Sequence, residues 1–224
     1  MTRIAWIVLV GQLVAAIGSG LQWLAAPQYL PPGLIYIAGA IVILLLERRS
    51  RWASMGAVAM SAWIFYGGLN SGSLTRGLSS TKDIVAVGNW VMVAGLVVSV
   101  IAAVVAMTVT RSSEPQVGQR TAVTVTSSGL LVYAVGNAWM GGWDLSRPGP
   151  IPFAVLALLV ALVRYRFMVM ISIVMSIAFL EGTVSRLSSV GFGSAALMMA
   201  GLVMALVAGV VAVVPQRTAQ PASG

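Results

Sequence analysis

The sequence predicts an all-α integral membrane protein with eight transmembrane helices, arranged as a tandem parallel repeat of four helices plus four. Hydrophobic residues make up 59% of the 224 residues and charged residues only 8%, which is too little charge to cover a soluble domain. The apolar residues fall into eight long runs, and about 20 helical residues suffice to cross the hydrocarbon core of a bilayer. Short motifs of the first half also recur, in the same order, in the second half.

Each predicted helix is an apolar run that ends at polar, charged, proline or glycine residues. The eight spans cover residues 4–26, 31–47, 52–69, 84–109, 121–142, 149–163, 167–182 and 192–214. Helices are expected because a bilayer offers no hydrogen-bond partner to an exposed backbone amide. The second and sixth spans are short and begin near prolines. We expect them to cross, since a re-entrant second span would carry Arg48, Arg49 and Arg51 into the hydrocarbon.

The last span of each half shows the repeat most clearly, because it reads MVAGLVVSVIAAVVAM over 92–107 and MMAGLVMALVAGVVAV over 198–213. Other shared landmarks are Pro-Gly at 32–33 and 148–149, arginine turns at 47–52 and 164–167, Met-Ser at 60–61 and 175–176, and the segments LTRGLSS at 74–80 and VSRLSS at 184–189. We therefore predict two membrane domains, residues 1–112 and 113–224, the second with a short polar C-terminal tail. Because the first span has a counterpart, we expect it to be retained rather than cleaved as a signal peptide.

Basic residues predict the orientation in the membrane. Four spans per half is an even number, so both halves enter from the same side, which makes the repeat parallel. With the N terminus inside, the cytoplasmic segments hold nine basic residues and the outer segments hold four. The positive-inside rule then predicts that both termini are cytoplasmic. Twelve arginines against one lysine, together with abundant Ala, Gly and Val, favour a bacterial plasma membrane.

Composition excludes several classes of chemistry. The chain has no Cys and no His, so thiol catalysis, Cys or His metal sites and imidazole acid-base catalysis are excluded. With only five acidic residues we expect no metal, no cofactor and no enzymatic activity. The basic residues are scattered at the ends of apolar runs, which suits phospholipid head groups and indicates no nucleic-acid partner.

A polar face on the first span is the main candidate for a functional site. Gln12, Ser19 and Gln22 share one side of this helix, and Thr124 and Ser128 lie on one stripe of span five. Two interpretations remain open. Small and polar faces pack and hydrogen-bond at helix–helix seams, within the chain, in a homo-oligomer or against a partner membrane protein. Alternatively, spans one and five line a polar path or a ligand cavity.

Other candidates lie near the predicted outer edge of the membrane. Glu181 is either a cation or proton site, or a head-group residue that pairs with Arg186. Asp144 follows two tryptophans, which form either an aromatic ligand clamp or an interfacial belt. Asn137 either caps a helix or binds a ligand. The outer loop over 67–83 is expected to be a flexible connector that could contact a substrate or a partner.

Two functions fit these features. The first is a small transporter or exporter, or a module of one, because parallel repeats and proline-interrupted short spans at matching places are typical of transporters. The alternative is a non-catalytic membrane subunit that assembles with a partner membrane protein. In either case the lipid bilayer is the common partner.

Overall fold

The computed structural model describes residues 3–25, 32–46, 52–109, 117–141, 143, 149–184 and 191–214. Within these ranges the fold is all-helical, as predicted. The helices are α1 (Arg3–Ala25), α2 (Pro32–Leu46), α3 (Ala53–Asn70), α4 (Ser73–Leu78), α5 (Asp83–Val109), α6 (Arg120–Met140), α7 (Pro150–Val163), α8 (Arg166–Val184) and α9 (Phe192–Val213). Eight of them begin and end within two residues of the predicted spans. The ninth, α4, lies in the segment that was expected to be a flexible connector.

Four helices are long and apolar enough to cross a membrane, namely α1, α5, α8 and α9, with mean hydropathies between 2.0 and 2.6. Two shorter apolar helices cover Gly33–Leu46 and Pro150–Val163. Large apolar side chains also cover the outer surface, as Ile17, Ile101 and Leu162 illustrate with exposures of 61%, 61% and 70%. Contiguous apolar surface of this kind is rare on soluble proteins, so the fold is that of a helical membrane protein.

The longest helix contact is the antiparallel packing of α1 along α5. Gly11 faces Gly95 and Gly18 faces Gly88, one heptad apart on each helix. A Cβ atom added at Gly95 would lie 2.6 Å from the carbonyl oxygen of Gly11, closer than real Cβ atoms come to other atoms. The glycines are therefore required where the two backbones touch, as in other close helix contacts in membranes.

A second contact of the same kind joins α6 and α9. A Cβ atom added at Gly129 would lie 2.6 Å from the Gly201 carbonyl oxygen, and one added at Gly136 would lie 3.3 Å from that of Ser194. The spacing along both helices is again a heptad. Helix α7 packs on α6, and α8 packs on α9, which completes a four-helix group.

The group α1–α5 contacts the group α6–α9 mainly through α8, which packs against α2 and α3. Aromatic rings meet across this boundary. Trp52 stacks on Phe167 with 6.4 Å between ring centroids, and Trp63 lies 5.5 Å from Phe179. The core is therefore continuous from one group to the other.

Candidate functional site

A cavity of about 470 Å³ lies at one end of the first helix group. It is formed where the C-terminal halves of α1 and α3 meet the N-terminal halves of α2 and α5, with α4 across its side. Its polar wall contains Ser19, Gln22, Tyr36, Trp63 and Asn89. Pockets of this size, largely apolar with a few converging polar groups, are typical binding sites for small molecules.

Ser19 is the most informative residue of the wall. It is fully buried, and its hydroxyl has no hydrogen-bond partner among the residues that the structure describes. Buried helical hydroxyls usually bond to a carbonyl one turn back, as Thr126 does to Ala122 at 2.8 Å. Because nearly all buried polar atoms are paired, an unpaired hydroxyl that lines a cavity is suited to bind a molecule there.

Gln22 and Asn89 line the same cavity as Ser19. The side-chain amide of Gln22 makes a weak hydrogen bond, and that of Asn89 makes one within its own helix. The Gln22 amide nitrogen donates to the sulfur of Met92 at 3.6 Å, and sulfur is a weak acceptor. The Asn89 amide nitrogen donates to the Val85 carbonyl at 2.8 Å, within its own helix. Both side chains therefore have an amide oxygen that can accept a hydrogen bond beside the cavity. The Gln22 amide nitrogen can also donate to another group, because its bond to sulfur is weak.

Tyr36 and Trp63 form the aromatic part of the wall. The Trp63 indole nitrogen donates to the Tyr36 hydroxyl, and both side chains line the cavity. Trp63 also contacts Tyr66 at 5.9 Å between ring centroids and Phe179 at 5.5 Å. The same indole thus forms cavity wall and packs against the second helix group.

Helix α4 is held over the side of the cavity by short-range contacts. The turn before it passes through Gly72, whose φ of +65° is readily adopted only by glycine. The Arg76 guanidinium donates to the Ser71 carbonyl at 3.1 Å, and the Ser71 hydroxyl donates to the Gly67 carbonyl at 2.7 Å. Leu74 is buried below, so α4 is anchored by one apolar side chain.

A second polar cluster lies two turns deeper on α1, around Gln12. The Gln12 amide nitrogen donates to the Ser99 hydroxyl at 2.8 Å and to the Ser61 hydroxyl at 3.2 Å. Ser99 in turn donates to the Val8 carbonyl at 3.2 Å. The Gln12 amide oxygen is buried and has no partner in the described part of the chain. The predicted polar face of α1 is thus a helix seam at Gln12 and a cavity wall at Ser19 and Gln22.

The structure does not bring Thr124 and Ser128 into this site. Both are exposed on the outside of α6, and the Thr124 hydroxyl donates to the Arg120 carbonyl at 3.0 Å. Helix α6 packs against α7, α8 and α9, whereas α1 packs against α2, α3 and α5. The cavity is therefore lined by the first helix group rather than by α1 and α6 together.

The other predicted site residues lie apart from the cavity wall. Asn137 donates to the Tyr133 hydroxyl at 3.1 Å and its side chain packs beside Gly149 at the start of α7. Glu181 is exposed in the last turns of α8. Asp144 and Arg186 lie outside the described residues.

The second helix group contains a cluster of aromatic rings. Tyr133 of α6 lies 4.3 Å from Phe153 of α7, and Phe179 of α8 lies 4.7 Å from Phe153, measured between centroids. Tyr133 and Phe153 are both buried. In the alignment of the two repeats they correspond to Ala15 and Ile37, which belong to the packed core of the first group rather than to the cavity wall.

Sequence reasoning missed Tyr36, Trp63 and Asn89 as parts of one site. The available signal was the Pro-Gly start of the short second span, a known pointer to central sites, which places Gly33 on the cavity wall. Among the described residues, no three Asp, Glu, His or Cys side chains lie together as metal ligands. Comparisons with known proteins found no matching family model, no similar curated protein and no similar solved structure.

Proposed function

We propose that the chain is an eight-span membrane protein built from two parallel four-helix repeats, and that it is a small transporter or a module of one. The observation that carries the proposal is the cavity of about 470 Å³ with the buried, unpaired hydroxyl of Ser19 in its wall. A packed helix seam leaves no space of this kind, so the cavity is the feature that favours a binding site over a seam.

The helix contacts support the repeat. Five contacts among α1, α2, α3 and α5 have counterparts among α6, α7, α8 and α9. They are α1–α5 with α6–α9, α1–α2 with α6–α7, α2–α3 with α7–α8, α3–α5 with α8–α9, and α1–α3 with α6–α8. The glycine contacts follow the same rule, since Gly11 on Gly95 corresponds to Gly129 on Gly201. Helix α4 overlaps the segment 74–80, whose counterpart in the second repeat, 184–189, lies almost entirely outside the described residues.

The distribution of basic residues predicts the side of the membrane toward which the cavity opens. With both termini in the cytoplasm, the C-terminal ends of α1 and α3 and the N-terminal ends of α2 and α5 face outward. The cavity then opens toward the outside of the cell. Below it, the buried polar residues Gln12, Ser61, Ser99 and Ser54 continue toward the inner end of the same helix group. The proposed route for a solute across the first repeat follows this line, and the packed seam at Gln12 closes it in the present structure.

Solute entry into vesicles tests the proposal. The purified chain is reconstituted into vesicles of phosphatidylcholine and phosphatidylglycerol, and swelling is followed by light scattering after mixing with nicotinamide, glycerol, choline or lactate. We expect at least one solute to enter several-fold faster than into protein-free vesicles. Entry rates equal to those of protein-free vesicles for all four solutes, with a second membrane protein co-purifying from native membranes, would favour the alternative of an assembly subunit.

A further inference from the structure

We propose that the cavity of the first repeat binds a small uncharged molecule that carries hydrogen-bonding groups and a flat or apolar face. This inference rests on the proposed transport function and narrows it to a class of solute. It is carried by the chemistry of the cavity wall.

The residues of the cavity wall indicate that the solute carries no charge. Every described side chain that lines the cavity is uncharged. Moving an ion from water into such a site costs several kcal/mol unless an opposite charge receives it. Arg76 on α4 and Glu181 on α8 lie near the cavity without forming its wall. The Glu181 carboxylate interacts electrostatically with the Tyr36 hydroxyl. Both charged residues are exposed and opposite in sign, so solvent screens them and neither selects an ion.

The hydrogen-bonding character of the solute follows from the groups left available. Ser19 offers a hydroxyl without a partner, and Gln22 offers an amide held only by the sulfur of Met92. Hydroxyls and amides both donate and accept, so they match a neutral alcohol, amide or similar group. A molecule that lacks such groups would leave Ser19 buried and unpaired, at a cost of about 1–3 kcal/mol.

The flat or apolar face of the solute follows from the rest of the wall. Trp63, Ile64 and Met92 belong to it. Indole and thioether groups make favourable contacts with rings and with apolar carbon. The wall therefore combines hydrogen-bonding groups with apolar and aromatic surface.

The second helix group offers a control position for labelling at the cavity wall. Ser176 of α8 resembles Ser19, because it is fully buried and its hydroxyl has no partner in the described ranges, but it does not line the cavity. Ser176 therefore provides a matched control for Ser19.

The absence of cysteine from the chain allows a direct test by thiol labelling. Single variants Ser19→Cys, Ser176→Cys and Ser79→Cys are purified and treated with three methanethiosulfonates that carry a 2-hydroxyethyl, a trimethylammonioethyl or a sulfonatoethyl group. Each reagent forms a mixed disulfide with the thiol and releases methanesulfinate, so the rates compare a neutral, a cationic and an anionic molecule. Ser79 is exposed and supplies the reference rate for each reagent.

We expect Ser19→Cys to react with the neutral reagent at least ten-fold faster than with either charged reagent, after division by the Ser79→Cys rates. We expect Ser176→Cys to react with none. Equal relative rates for all three reagents at Ser19→Cys, no reaction there, or labelling of Ser176→Cys would each overturn the inference. Gly33→Cys repeats the measurement from the α2 wall, where its Cβ would lie 3.8 Å from the Ser19 hydroxyl oxygen, if Ser19→Cys does not fold.

The labelling and vesicle experiments test different claims, so their negative results can be distinguished. Charge-selective labelling without solute entry would contradict transport and leave the binding site intact. Solute entry with labelling that ignores charge would support transport and overturn the class of solute proposed here.

Discussion

Gln12 and Ser19 show how two polar residues of one helix face have different surroundings. Gln12 is held by Ser99 and Ser61 in a packed seam, whereas the Ser19 hydroxyl lies at a cavity without a partner. The Gln12 amide oxygen is also unpaired, in a place with no cavity around it. A buried unpaired amide oxygen destabilises a fold, so the Gln12 side chain contributes less stability than its two hydrogen bonds suggest.

Replacement of Gln12 by Leu is therefore expected to be nearly neutral. The unpaired amide oxygen is removed and Ser99 keeps its bond to the Val8 carbonyl, but the buried Ser61 hydroxyl loses its bond to Gln12. Because this gain and this loss offset each other, we expect the free energy of unfolding in detergent to change by no more than about 1 kcal/mol. Gln12→Ala, the control, leaves a void and should cost about 2 kcal/mol or more. Equal losses for both variants would indicate that the amide oxygen has a partner and that the cluster is a stabilising network.

Helices α1 and α5 are held together by glycines on a heptad, and this determines where the helix tolerates a side chain. Gly18 faces the backbone of Gly88 and Met92, whereas a Cβ added at Gly20, two residues along the same helix, would meet nothing within 4 Å. The two positions thus separate the packing role of glycine from its effect on helix propensity.

Substitution by Ala should have opposite effects at these two positions. Gly18→Ala forces the two backbones apart and should lower the free energy of unfolding by about 1–3 kcal/mol. Gly20→Ala removes backbone freedom from the unfolded helix and should raise it by about 0.5–1 kcal/mol. Unfolding midpoints in detergent measure both. A stable Gly18→Ala protein would mean that α1 and α5 are not in backbone contact.

The helices could be predicted from the sequence because long apolar runs with polar ends determine their positions almost by themselves. Helix α4 could not, since SLTRGL is six residues of mixed polarity and is held by Leu74 and by contacts of Ser71 that only the fold creates. Short polar segments carry no periodicity that distinguishes a helical turn from a loop.

The candidate site was predictable on one helix and not across helices. On α1 the predicted face is buried at Gln12 and Ser19, because small and polar groups pack against other helices rather than lipid. On α6 the stripe with Thr124 and Ser128 faces outward, and Thr126 and Ser127 are buried instead. Hydroxyls that bond to their own helix backbone are tolerated on either face, so threonine and serine do not determine the rotation of a helix. The role of Trp63 could not be predicted, because its contact with Phe179 depends on the packing of α3 against α8.

At the scale of the whole molecule, the two helix groups share their helix contacts but differ in side chains. The first group contains the cavity, and the second contains a packed cluster of rings around Phe153. Such side-chain differences can give two copies of one helix arrangement different properties, because the helix contacts are common to both. Trp63 links the two, since it lines the cavity and packs against Phe179.

The proposed orientation predicts which segments face the outside of the cell. In intact cells, a membrane-impermeant thiol reagent should label Ser79→Cys, after α4, and should not label Gly118→Cys, in the link before α6. Both positions are partly or fully exposed, so accessibility to water does not separate them. Labelling of Gly118→Cys after the cells are lysed controls for reactivity. The reverse pattern in intact cells would place the cavity on the cytoplasmic side.

The central claim is that solute passes through the cavity of the first repeat, and two glycines test it most directly. A Cβ added at Gly67 or at Gly182 would meet no atom of the described residues within 4 Å, and of these two glycines Gly67 lines the cavity. The measurement is the rate at which the transported solute enters vesicles containing Gly67→Leu or Gly182→Leu. We predict at least a ten-fold loss for Gly67→Leu and the native rate for Gly182→Leu. Equal rates for the two variants would contradict the claim.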